Sequence, residues 1–212
     1  MTEQEQIEQL KSWIKQYAFT VIAGIAMACL MIFTWHSWQR YHNRLALHAS
    51  GVYDEMLTLK AQNNSSGVNV QAHKLLGHYP NTPYAQMAAF MLAKEAVTNK
   101  NYPEAINQLN WVAKHTDSTQ IAAIAKIRIA RIQVLEKKND EALATLKQIT
   151  DNSFSGLADE LKGDIYMSMK NPTKAKETYQ LALKELPQDE ATRRPLLQMK
   201  LDNLTTVSDS IA

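Results

Sequence analysis

Between Tyr17 and Trp35 the chain reads YAFTVIAGIAMACLMIFTW, nineteen consecutive residues without a charge, and this run constrains everything around it. A helix rising 1.5 Å per residue needs roughly 20 apolar residues to cross a hydrocarbon core of about 30 Å. The run therefore predicts a transmembrane helix over 17–35, in contact with the lipid bilayer. Its borders agree. Trp13 and Tyr17 before it, and Trp35, Trp38 and Tyr41 after it, are aromatics suited to the headgroup layer, with Lys11, Lys15, Arg40 and Arg44 just outside. Two processed forms compete for the same residues: Ala26-Met27-Ala28 has the spacing of a signal-peptidase site, and Ala28-Cys29 that of a lipoprotein junction. The apolar run continues through Leu30, Met31, Ile32 and Phe33, however, where a cleavage site opens onto polar chain. A retained anchor is the expectation. Gly24 and Ala28 form a small-xxx-small pair that lets another membrane helix approach closely.

Flanking charge does not orient the span, because two cations stand on each side; the free amino terminus favours a cytosolic head. Lys and Arg number 23 against 21 Asp and Glu, a balance with no electrostatic footprint for nucleic acid. The single Cys, Cys29, lies within the run, so no disulfide is available to the rest of the chain. Only six Gly and six Pro, beside many Ala, Leu, Lys and Gln, point to an all-α chain. Catalytic chemistry has no carrier: there is no H-E-x-x-H, no Gly-rich phosphate loop and no carboxylate cluster on a loop. His36, His42 and His48 turn through about 240° at each step, which spreads them around a helix instead of gathering them on a metal. No cofactor, metal or enzymatic activity is expected.

Taken in order, residues 1–16 form the head, with Ile7, Leu10 and Ile14 at helical spacing among charges. After the span, residues 36–80 read as linking helices, with Leu45, Leu47, Val52, Met56 and Leu59 apolar and Asn63 to Gly67 as a break. Residues 81–188 are more regular. Thr82-Pro83, Asn101-Tyr102-Pro103, Lys138-Asn139-Asp140 and Asn171-Pro172-Thr173 each restart a helix. The last three lead into similar phrases whose alanines, Ala105, Ala142 and Ala175, lie 37 and 33 residues apart. Helix pairs recurring at about 34 residues are the mark of tetratricopeptide repeats. Such pairs bury their apolar faces only by stacking, and need a small residue where two helices come closest. Ile127-Arg128-Ile129 alternates like a strand, yet its alanine-rich surroundings and helical spacing predict a helix buried on more than one side. Lys126, Asp159 and Lys162 stand where the repeat favours apolar or small residues, which leaves the register of the first helices open by one residue. The pair ending near Ala61 and His78 has the makings of a degenerate fourth repeat. Residues 189–204 predict a C-terminal capping helix that admits Pro195 in its first turn, and residues 205–212 a mobile tail.

In this register the first helices of the repeats line a partner-binding groove with Met87, Phe90, Lys94, Val97, Ile124, Ile127, Arg131, Val134, Leu157, Glu160, Asp164 and Met167. Apolar and Met side chains with scattered charge suit an extended or unfolded partner. Ile124 and Ile127 are equally well placed to serve as core.

The tryptophan-rich basic border at Trp35, Trp38 and Arg40, the phrase Ile127-Arg128-Ile129-Ala130-Arg131-Ile132-Gln133-Val134 and the closing Gln198-Met199-Lys200-Leu201-Asp202-Asn203-Leu204 resemble the YfgM family, ancillary subunits of the SecYEG translocon. The resemblance implies a single-pass protein of the bacterial inner membrane, with a cytosolic N-terminus and periplasmic tetratricopeptide repeats. It also implies association with the SecYEG translocon and the membrane-anchored periplasmic chaperone PpiD, and transfer of emerging proteins to periplasmic chaperones. A membrane-anchored signalling regulator acting through its cytosolic head is the alternative.

Overall fold

The computed structural model describes the backbone of residues 3–186, 190 and 192–209, and their side chains except at 3–10, 12–16, 18, 21, 41 and 205–209. Every regular element among them is helical. The first helix, α1, runs from Glu3 to Ala61. Its part up to His48 is a unit by itself, and from Ala49 the chain belongs to a second compact unit.

In the first unit, Phe19, Ile22, Ile25, Leu30 and Phe33 are each at least 60 % exposed. Because Leu30, Met31, Ile32 and Phe33 are consecutive and all exposed, apolar side chains surround this part of the helix. No helix among the described residues is long and apolar enough to cross a membrane; the side chains of Ala18 and Val21, inside the uncharged run, lie outside that description. Around Gly24 the space is open, and Ala28 is exposed. Trp38 sits between Trp35 and His42, with ring centroids 5.7 and 4.4 Å away. The apolar positions expected in the head, Ile7, Leu10 and Ile14, fall among the side chains not described.

The second unit is a stack of helix pairs built by one repeated turn. The end of α1 turns into α2 (Ser65–His78), α3 (Pro83–Thr98) into α4 (Tyr102–His115), α5 (Thr119–Leu135) into α6 (Asn139–Lys147), and α7 (Ser155–Ser168) into α8 (Pro172–Glu185). At each turn a single residue adopts positive φ: Asn63, Lys100, Lys137 and Lys170, spaced 37, 37 and 33 residues apart. The next residue's N–H reaches back five positions, as in Asn101 to the Ala96 carbonyl at 2.8 Å and Asn171 to the Tyr166 carbonyl at 2.9 Å. This is the Schellman closure, in which a left-handed residue lets the last carbonyls of a helix find donors. Asn64, Asn101 and Asn171 then use their side chains to accept from the first amides of the following helix. Three asparagines therefore end one helix and begin the next. Lys138 occupies the same place before α6 and gives no side-chain cap.

Packing follows from these turns. Ala105, Ala142 and Ala175 are fully buried, as expected of the small residues where paired helices touch. Met56 of α1 and Leu75 of α2 are also fully buried, in one cluster with Val68, Ala72, Ala85 and Ala88. Burying each such large side chain stabilises by about 1.5–3 kcal/mol. Helix α5 is the hub: Ile129 and Ile132 face the α3–α4 cluster, Ile127 and Ala130 face the α6–α7 cluster, and Ala125 joins Ala89 and Val112 in a third. It is a helix buried on more than one side, and the strand-like alternation of its centre comes from supplying two neighbours at once. The α6–α7 connection carries a 3-10 turn at Asn152–Phe154. It is tied to α5 by Thr119 Oγ1 donating to Asp151 Oδ2 at 2.6 Å and Lys126 Nζ donating to the Gln148 carbonyl at 2.7 Å. Lys126 thus fits its place by reaching a backbone oxygen beyond the core.

The last helix, α9, spans Arg193–Asp209. Leu197, Leu201 and Leu204 bury themselves against Ala175, Tyr179, Ala182 and Leu186. Arg194 Nη1 donates to the Leu183 and Leu186 carbonyls at 2.8 and 2.9 Å, satisfying acceptors that the end of α8 leaves free. The capping helix extends to Asp209, past the expected boundary at 204; residues 210–212 of the expected tail lie outside the described residues.

Candidate functional site

Three first helices of the pairs, α1, α3 and α5, leave a cleft of about 620 Å³ between them. Helix α3 supplies Met87, Phe90, Met91, Lys94 and Val97; α5 supplies Arg128, Arg131, Ile132 and Leu135; α1 supplies Tyr53 and Lys60; and Leu109 of α4 closes the floor. The volume lies in the range of small-molecule and peptide side-chain sites. The floor is apolar because Ala93, Leu109 and Ile132 are core residues whose outer edges reach the cleft. Met87 and Leu135 remain 47 % and 62 % exposed at its mouth.

Four cations stand around this apolar floor: Lys60, Lys94, Arg128 and Arg131, all exposed. Among the described residues no carboxylate lines the cleft. The Arg128 guanidinium lies over the Phe90 ring, 4.6 Å from its centroid, a cation–π arrangement that also fixes the ring. Tyr53 is buried beside the Tyr84 ring. Burial, with the charge of Asp54 nearby, pushes its phenol above the ordinary value, so it presents a neutral hydroxyl.

The predicted groove is divided between two environments. Its α3 portion lines the cleft as read, with Met87, Phe90, Lys94 and Val97 all present. On α5 only Arg131 of the predicted set does so. Ile127 is 3 % exposed and sits in the α6–α7 cluster, against which Val134 also packs, and Ile124, half-buried, is not a lining residue. Arg128, Ile132 and Leu135 take their place. The substitution is a shift of one residue, and one residue on a helix is about 100° of rotation.

On α7 the predicted residues meet other partners. Leu157 packs against the α6–α7 cluster. Lys200 Nζ of α9 donates to Glu160 Oε1 at 2.9 Å and to Asp164 Oδ1 and Oδ2 at 2.7 and 2.9 Å. Tyr179 donates its hydroxyl to Asp164 Oδ1 at 2.6 Å. Burial first, then the hydrogen bond and charge of Asp164 and the charge of Glu160, hold the Tyr179 phenol above its usual range. For Lys200, burial alone would lower the ammonium, but its hydrogen bonds to Asp164 and Glu160, with their charges, hold it above lysine's ordinary value. Met167 stays 42 % exposed. Asp159, nearly buried, pairs with Lys162 at 2.7 Å, which accounts for two polar residues at positions that favour apolar ones.

Sequence reasoning missed Tyr53, Lys60, Met91, Leu109 and Arg128. The available signal was Arg128 beside Arg131: an i, i+3 pair shares a face of a helix, so placing Arg131 in the groove brings Arg128 with it. Among the described residues no group of His, Cys, Asp and Glu is arranged to hold a metal.

Stacked helix pairs closed by one turn, with a cleft on their first helices, define a helical-repeat scaffold. The model of the tetratricopeptide repeat-like domain family matches residues 11–206. Proteins similar to the chain include those of Neisseria gonorrhoeae (32 % identity, covering 96 % of this chain and 98 % of the relative), Haemophilus influenzae (26 %, 95 % and 97 %) and Escherichia coli (24 %, 96 % and 97 %). Each is named an ancillary SecYEG translocon subunit. A solved structure, the MamA RS-1 ArsTM double mutant, is similar in fold, with a TM-score of 0.50 at 15 % identity over 76 % of this chain and 97 % of that one. The chain belongs to the tetratricopeptide repeat-like family and, within it, to the ancillary SecYEG translocon subunits, the YfgM family.

Proposed function

We propose that the chain is a noncatalytic, single-pass adaptor of the bacterial inner membrane that associates with the SecYEG translocon. In this reading Tyr17 to Trp35 cross the bilayer, the head is cytosolic and the helix pairs are periplasmic. Support for the anchor comes from the nineteen uncharged residues with aromatic and basic borders and from apolar side chains exposed all round that part of α1. Support for the partner comes from the names of the relatives.

The observation that carries an adaptor role is the apolar cleft on α1, α3 and α5. An anchored cleft beside the translocon exit holds a high effective concentration near emerging chains, so weak apolar binding suffices. Emerging proteins would then pass to periplasmic chaperones, with the membrane-anchored PpiD as the nearest partner. Site-specific photo-crosslinking in intact cells tests this. Probes at Phe90 and Arg131 are expected to capture translocon, chaperone or emerging chain, whereas a probe at Ile127, inside the core, captures none. Silence at Phe90 and Arg131 would remove the groove from the mechanism. Extraction of the protein by carbonate without detergent would remove the anchor.

A further inference from the structure

The cations around the cleft are an anomaly of placement. Across the chain positive and negative residues nearly balance, 23 against 21, yet four of the cleft's lining residues are cationic and none is acidic. Elsewhere in the stack three lysines find carboxylates, Lys200 with Glu160 and Asp164, Lys162 with Asp159 and Lys138 with Glu136; what sets the cleft apart is four cations gathered around one apolar floor. Among the described residues Lys60, Lys94, Arg128 and Arg131 make no ion pair.

We infer that this cleft takes a segment of unfolded polypeptide in which large apolar side chains are flanked by aspartates or glutamates. The apolar part rests on Phe90 and Ile132, and the flanking carboxylates meet Lys60, Lys94, Arg128 and Arg131. This inference rests on the reading of the cleft as the adaptor's site for emerging chains, and adds which chains it holds.

Three features support that occupant. Charge complementarity comes first: an apolar floor inside a ring of unpaired cations attracts a ligand of opposite charge and selects against cationic ones. Second, the Arg128 guanidinium is held over the Phe90 ring, which presents no oxygen to it, so its N–H groups are available to the two oxygens of a carboxylate. Arg131, three residues on, lies on the same side of α5. Third, the cations come from three helices. A single lipid headgroup presents one concentrated charge, whereas a peptide distributes several along its length, which matches cations placed on α1, α3 and α5.

The test uses the full chain in nanodiscs of uncharged lipid, with fluorescent peptides read by anisotropy. One peptide carries a Leu-Phe-Leu core between Asp-Glu flanks, a second the same core between lysines, and a third the acidic flanks around serines. The acid-flanked apolar peptide is expected to bind roughly tenfold more tightly than the lysine-flanked one at low salt, with the gap closing as salt screens the rim. Arg128→Glu combined with Arg131→Glu reverses the order of the first two peptides, and Phe90→Ser weakens both; circular dichroism confirms that the variants are helical. Equal binding of the first two peptides, or indifference to the charge reversal, would overturn the inference. So would tight binding of the serine peptide, which would make the cleft a plain anion site, or binding of a fluorescent fatty acid with no apolar peptide able to displace it. The in-cell crosslinks separate the two levels. Capture of emerging chains at Arg131 regardless of flanking charge leaves the adaptor reading standing and sinks this one; the peptide preference without any capture in cells does the reverse.

Discussion

The cleft on α3 and α5 and the equivalent face of α7 are made from the same part of the same repeat, and they end in opposite states. On α3 and α5 the inner side chains stay open, apolar below and cationic at the rim. On α7 the inner carboxylates of Glu160 and Asp164 are taken up by Lys200 of α9, while Leu197 and Leu201 of α9 bury the face of α8. A repeat array must end somewhere, and its last pair would expose apolar surface unless something covers it. Here α9 is that cover, and the carboxylates of the covered pair are neutralised by a residue of the cover itself. The open end is different because, among the described residues, its four cations make no ion pair, which is why binding is proposed there and stability at the other.

The sharpest way to break this contrast is to disturb the closed end. A Cβ at Gly163 would lie 2.3 Å from Tyr179 Cε1, and the ring is buried and held by Asp164. Gly163→Ala is therefore expected to cost about 3 kcal/mol, seen as a clear fall in the thermal midpoint by circular dichroism. Gly77→Ala, with nothing within 4 Å of the added carbon, leaves the midpoint unchanged or slightly raised. Equal effects from the two substitutions would contradict the close approach of α7 and α8.

Removing the cation is next in size. Lys200→Ala removes the cation shared by Glu160 and Asp164 and leaves Asp164 with the Tyr179 hydroxyl, which costs about 1–2 kcal/mol once partial exposure is allowed for. Hydrogen exchange on α9 and the end of α8 should rise while protection on α3 and α5 holds. The same network makes an alkaline prediction. Tyr179 and Lys200 both keep their protons more tightly in the folded chain than their ordinary values of 10.0 and 10.5. Their contribution is thus complete below about pH 10 and is lost as pH rises through the higher folded values. The α8–α9 end should loosen first in strong alkali, and Tyr179→Phe with Lys200→Met should flatten that part of the profile.

The smallest effect concerns the turns. A lysine at positive φ carries strain that glycine avoids, so Lys137→Gly and Lys170→Gly should each gain about 0.5–1 kcal/mol in denaturant unfolding. Because the turn is the same at both places, the two gains should match. A gain at only one would show that the neighbouring packing, not the turn, sets the balance.

Much of this architecture was legible because the turn chemistry is local. Asn101 and Asn171 announce helix starts, Thr82-Pro83 does so at α3, and Ala105, Ala142 and Ala175 mark the close approaches; each depends on residues within one or two turns. The α3 side of the cleft was legible for the same reason, since Met87, Phe90, Lys94 and Val97 recur on one face. The α5 side was not. Helix α5 serves three clusters, so its apolar residues lie on several sides and only the Arg128–Arg131 pair marks the open one; Ile127 and Arg128 differ by one step of rotation that the neighbours fix. Nor did α7 reveal itself, because nothing near Glu160 or Asp164 in the chain announces a lysine some 40 residues later.

What the sequence determined alone was the set of helices, the places where they turn, and an uncharged run near the amino terminus, all properties of short stretches obeying backbone and capping preferences. Tertiary structure decided which inner face stays open. That depends on where α9 lands and how α5 is rotated between its neighbours, and both are settled by packing among residues far apart in the chain.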